Sequence, residues 1–216
     1  MAREAHPAVG ARKPQAAEER VPAFASLRMQ SRFAAFVRQP CQKTFLAVRE
    51  CVLRRCPLPL TTTDLSTLQR LLEEGRYQEL QERLSTLPPS KVLSPRFHYL
   101  AAEAAAGLGQ HDDVELERWL FVLTLRGLLA TGDGTPAQPY LVCHASDEYD
   151  ILSAQGLVPA GQSLREHQGR VCDVIRCTDG REVWFDVTAV VQRPAPPRKA
   201  PTRRLTARAT GARRSS

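Results

Sequence analysis

The chain has 216 residues, of which 43% are hydrophobic and 25% charged, enough to bury the core of one or two small domains and to exclude wholesale disorder. Its net charge of +7 is unevenly divided: residues 192–216 carry +8 and residues 1–56 carry +7, whereas residues 57–191 carry −8. A nucleic-acid-binding domain concentrates its cations on a folded face, so an acidic body with two basic ends points elsewhere.

Residues 1–26 are biased towards Ala, Arg, Pro and Glu and hold little to bury, which predicts a disordered basic arm. They lack the apolar run of a secretory signal, and the richest apolar segment, Trp119 to Leu125, is bounded by Arg118 and Arg126, far short of a membrane span. These features place the chain in the cytoplasm. The likeness described below begins near Met29, which raises the expectation that translation begins there rather than at Met1. The six cysteines are expected to be reduced, mostly buried, small apolar residues.

Residues 27–131 read as helices. Phe33, Phe36 and Val37, then Phe45, Val48 and Val52, recur at helical spacing on either side of Pro40, with Pro57 and Pro59 closing the second helix. Leu65, Leu68, Leu71 and Leu72 follow the polar start Thr62 to Asp64 and stop at Gly75; Tyr77, Leu80, Leu84 and Leu87 continue to Pro88 and Pro89. Ser94 is a natural N-cap with Pro95 at the first helical position, and Phe97, Leu100, Ala101, Ala104, Ala105 and Leu108 share one face. The next helix, about Asp112 to Ala130, is apolar nearly all round and is expected to be surrounded by partners, ending at Gly132.

Leu71 to Tyr77 corresponds to Ala105 to His111 at a shift of 34 residues, the tetratricopeptide period. These helix pairs resemble tetratricopeptide repeats, although Leu80 and Val114 stand where that family has a small Ala.

Residues 132–193 read as a small α+β module with an antiparallel sheet: a strand over Tyr140 to His144, a short helix over Ser146 to Gln155, and strands from Gln162 onwards. Asp179-Gly180 predicts a two-residue type I′ turn, which sets Asp173 opposite Asp186 and makes a core face of Val174 with Phe185, Cys172 with Val187 and Arg176 with Val183. Residues 194–216, rich in Pro and then in Arg, Thr, Ala and Ser, predict a second disordered basic arm.

Ser94-Pro95-Arg96, Ala130-Thr131-Gly132-Asp133-Gly134 with Pro139-Tyr140-Leu141-Val142, Ser146-Asp147-Glu148-Tyr149-Asp150 and Trp184-Phe185-Asp186-Val187 together resemble an uncharacterised bacterial family, a domain of unknown function with helices followed by a small α+β module. The resemblance implies a fold and no activity.

Candidate chemistry is sparse. Ser146-Asp147-Glu148 fits the charge preference of a helix start. Asp173 and Asp186, as opposed carboxylates, are the weak catalytic candidates, because such a pair shares a proton unless Arg165 or Arg170 lies between them. The cysteines and histidines lack metal spacing, no Gly-x-Ser-x-Gly elbow is present, and Gly132-Asp133-Gly134 lacks the Lys of a phosphate loop; no cofactor or metal is expected. The leading function is therefore a non-enzymatic module that binds another protein. The first alternative is a nucleic-acid-associated protein using its arms, with polyanion contacts at Arg198, Lys199, Arg203, Arg204, Arg208, Arg213 and Arg214. The second is a small hydrolase or ligand binder at Asp173 and Asp186.

Overall fold

The computed structural model describes residues 27–55 and 62–191. The two basic arms, with the polyanion candidates from Arg198 to Arg214, lie outside the described residues, as do Pro57 and Pro59. The fold is α+β. Helices α1 (Leu27–Arg38), α2 (Gln42–Arg55), α3 (Thr62–Glu73), α4 (Tyr77–Thr86), α5 (Pro95–Gly107) and α6 (His111–Leu129) precede strand β1 (Tyr140–Leu141), helix α7 (Ala145–Ala154), strands β2 (Pro159–His167), β3 (Arg170–Cys177) and β4 (Glu182–Asp186), and a final turn of helix, α8 (Thr188–Val191).

The helix boundaries follow local chemistry. Ser94 caps α5, its Oγ accepting the Phe97 N–H at 3.3 Å, with Pro95 at the first turn. The 34-residue repeat appears as two matching helix ends. Gly75 and Gly109 both have positive φ, and behind them Arg76 N–H donates to Leu71 O at 2.9 Å as Gln110 N–H does to Ala105 O at 2.9 Å. A 3-10 turn at Pro89–Leu93, absent from the sequence reading, carries the chain from α4 to α5. Helix α6 departs from expectation: Asp112, Glu115, Arg118 and Arg126 form an exposed stripe, so it is packed on most sides but not all.

Two cores result. A main core joins α1, α2, α6 and α7 to the sheet through Phe33, Phe36, Phe45, Leu123, Ile151 and Phe185, so the helical region and the α+β module share one interior. A smaller one, with Leu68, Leu71, Leu80, Leu84 and Leu100, lies between α3, α4 and α5. In the main core Gly127 lets the Phe45 ring lie directly on α6, where an added Cβ would stand 2.3 Å from it. Gly127→Ala gains about 1 kcal/mol of helix propensity but forces a fully buried ring aside. A net loss of about 1–3 kcal/mol is expected in chemical denaturation.

The sheet runs β1-β4-β3-β2. It is mixed rather than wholly antiparallel, because β1 pairs with β4 in parallel. The predicted strand over Tyr140 to His144 shrinks to two residues, since the chain then turns into α7. Gly132-Asp133-Gly134 forms the tight loop that seats β1. A Cβ on Gly132 would meet Gln138 O at 2.4 Å, and Gly134, at φ +78°, accepts the Trp184 N–H on its carbonyl at 2.9 Å, extending the protection of the β4 edge.

The β3–β4 register differs from the sequence reading by one residue: Asp173 lies opposite Phe185, and Asp186 opposite Cys172. The cause is the turn. Gly180 N–H donates to Cys177 O at 3.0 Å and Cys177 N–H to Arg181 O at 2.7 Å, and only Gly180 has positive φ there. This is a three-residue loop, a type I turn closed by a left-handed Gly, rather than the two-residue type I′ turn. The two-residue loop with positive φ at both positions is instead Gln168-Gly169, between β2 and β3. Because a one-residue slip exchanges faces, Asp173 and Asp186 point to opposite sides of the sheet. The expected core face changes accordingly: Ile175, Val183 and Phe185 join the main core, while Cys172, Val174 and Trp184 form a small cluster on the outer face.

Candidate functional site

The densest group of polar side chains in the interior lies at the start of α7, between α2, α5 and the inner face of the sheet. His144, extended at φ −134° and ψ 150°, is the N-cap, two residues before the expected Ser146 cap. Asp147, fully buried, accepts the N–H groups of Cys143 at 2.8 Å and His144 at 2.9 Å on Oδ2. Burial pushes its pKa up to about 7, against the pull of those two donors and of the Arg49 guanidinium. Arg49, on α2, donates from Nη2 to Val142 O at 2.9 Å, tying α2 to the chain entering α7. The His144 ring, also buried, donates from Nε2 to Ser90 O at 3.2 Å, and burial drives its pKa down to about 4, so it is neutral.

Asp150, one turn further on, is 4% exposed and meets Arg96 from the start of α5; the guanidinium donates from both Nε (3.0 Å) and Nη2 to Oδ1. Burial nonetheless outweighs that cation and lifts the Asp150 pKa to about 6. Glu148 has no such cation. It is 2% exposed, and burial first, then the charges of Asp173 and Asp147, raise its pKa to about 8.

Asp173 reaches this cluster from β3, because the observed register turns it towards α7. Gln162 of β2 donates from Nε2 to Asp173 Oδ2 and accepts the Tyr149 hydroxyl on Oε1 at 3.1 Å, a relay that ties α7 to both strands. Asp147 Oδ1, Glu148 Oε2, Asp150 Oδ2 and Asp173 Oδ1 are buried without a hydrogen-bond partner among the described residues, as is Ser146 Oγ. The arrangement retains protons at neutral pH, Glu148 foremost.

Asp186 belongs to a different setting on the outer face, where its Oδ1 accepts the Thr188 N–H at 2.9 Å and Arg170 lies 3.9 Å from Oδ2. The Asp173–Asp186 pair required for shared-proton chemistry is therefore not formed. Asp173 instead has a different carboxylic neighbour, Glu148, which sequence reasoning assigned to the helix start. Arg165, the other expected intermediary, bonds Glu182 through Nη1 at 3.0 Å and Nη2 at 2.8 Å and lies over Trp184, also on the outer face. The Arg96–Asp150 pair was also missed, although both residues belong to the motifs quoted for the family likeness. Among the described residues no group of three His, Cys, Asp or Glu is placed to hold a metal ion.

Beyond this buried cluster the sheet overhangs α7. Strand β2 is exposed along its length, with only His167 half-buried, and among the described residues its backbone ladders with β3 alone, at the end of the sheet. Leu164 stands 63% exposed on the overhang, opposite Asp173, and the exposed Tyr149 of α7 bonds Gln162, two residues before it on the same face. Arg165 and His167 turn the other way and pack on Trp184. No family model, no curated protein and no solved structure matches this chain. No helix among the described residues is long and apolar enough to cross a membrane.

Proposed function

We propose that this chain is a protein-interaction module, non-enzymatic and cytoplasmic, whose docking face is the free edge of β2. The observation that carries this reading is the contrast within one sheet: β3 and β4 are largely buried, whereas β2 offers nine residues with both faces and one edge open. An unpaired strand edge is a template for another strand, and Leu164 supplies an apolar contact beside it. The matched helix ends at Gly75 and Gly109 support the likeness of α3 to α6 to tetratricopeptide hairpins, a scaffold that presents surfaces rather than reactive groups. The carboxyl cluster supports the same assignment, because Asp147, Glu148 and Asp150 of α7 are buried, Asp147 being bonded to the Cys143 and His144 N–H groups and Asp150 to Arg96.

The test is a photo-reactive amino acid placed at position 164 and, as a control, at the exposed position 115 on α6. Position 164 is expected to give discrete protein adducts in cells and position 115 none. Equal adducts at both positions, or none at 164, would overturn the reading.

A further inference from the structure

We infer that the occupant of the β2 edge is a second copy of this chain, so that two four-stranded sheets join into one through an antiparallel β2–β2 pair centred on Leu164. This inference rests on the docking face proposed above and names its partner.

The first argument is that the edge is poorly guarded. Natural edge strands discourage pairing with Pro, bulges, charge or brevity. In β2 the proline and the bulge sit at the beginning, where Pro159 and the irregularity between Pro159 and Gly161 interrupt the ladder to β3, and the charges, Arg165 and Glu166, follow Leu164. From Gln162 to His167 the ladder is regular, and Leu164 lies at its middle with most of its side chain in solvent. An edge left open there, with its one large apolar side chain outside every core, calls for a strand.

The second argument is self-complementarity. Twofold symmetry perpendicular to a sheet keeps both faces continuous and places the same patch on both sides of the contact. It permits only registers in which one residue lies opposite itself. Centring on Arg165 sets two guanidinium groups directly across from each other, which is destabilising. Centring on Ser163 faces Leu164 with Gln162 and extends the pairing into the irregular start of the strand. Centring on Leu164 sets that side chain against the partner's Leu164, Gln162 against the partner's Glu166 and Ser163 against the partner's Arg165. No like charges meet, and the exposed leucines cover each other.

Sedimentation of the full chain over a micromolar concentration series is expected to show a monomer–dimer equilibrium. Leu164→Lys is expected to give a monomer that melts with wild type diluted into its monomeric range, since position 164 touches no core and only the stabilisation by the second copy is lost. Directly opposed Cβ atoms lie about 4.5–5.5 Å apart, near disulfide reach. Mild oxidation of Leu164→Cys in a Cys41→Ser, Cys56→Ser background should therefore trap a covalent dimer. Glu166→Cys in the same background should not, because symmetry separates its two copies by four residues along the strand, roughly 13 Å. A wild-type monomer throughout the series, or equal trapping at the two positions, overturns the second copy as occupant. If the chain is a monomer and the photo-reactive group at 164 captures a different protein, the docking face stands and only its occupant is wrong; if it captures nothing, both readings fall.

Discussion

Glu148→Gln is expected to raise the melting temperature at pH 8 and to leave it nearly unchanged at pH 4. The carboxyl is buried without a cation, and its pKa rises from 4.5 to about 8 on folding. Between those values the folded state binds more protons than the unfolded one, so stability falls as pH rises through the window and is flat above it. Gln keeps the shape and removes the titration. The gain at pH 8 should be about 1–3 kcal/mol, the usual cost of an unsatisfied buried polar group, or roughly 2–12 °C for a chain of this size. Asp147, raised to about 7 by burial, keeps part of the alkaline decline in the variant. The acid side has the opposite sign: His144, neutral in the fold with its pKa lowered to about 4, contributes stability above about 6.5 that is lost as pH falls through 4. Thermal melts from pH 4 to 9 test both limbs. An identical profile for wild type and Glu148→Gln would show that Glu148 does not titrate in the fold.

Arg96→Ala is expected to destabilise the protein by about 3 kcal/mol, because it strands the buried Asp150 carboxylate without its guanidinium. Arg96→Lys should recover little of this, since a single ammonium cannot reproduce two N–H donors converging on Oδ1. Combining Arg96→Ala with Asp150→Asn should cost less than the sum of the two single changes. Urea unfolding of the four proteins gives the coupling directly, and strict additivity would mean that the pair contributes nothing. The melting cost of Arg96→Ala should also shrink below pH 5, where Asp150, with its pKa near 6, is protonated in the fold.

The helices were legible because their determinants are local. Ser94 followed by Pro95 starts α5 wherever it packs, and Gly75 and Gly109 end their helices through hydrogen bonds spanning five residues. The exposure of the stripe on α6 was not legible, since apolar periodicity counts side chains and not the neighbours that cover them. The sheet shows the same divide more sharply. Asp-Gly suits both a two-residue and a three-residue turn, and the apolar pattern of β3 does not choose between them: Cys172 and Val174 lie on one face, Ile175 and Cys177 on the other, and all four are buried. Register is specified only where one face is clearly apolar. Here α7 covers the inner face and Arg165, His167 and Trp184 shield the outer one, so the choice belongs to packing. That choice decides the site: it separates Asp173 from Asp186 and turns it towards Glu148 of α7. Arg96 and Asp150 likewise meet across 54 residues, a separation that no local pattern encodes, because a buried charge selects its partner only after the helices that carry both have packed.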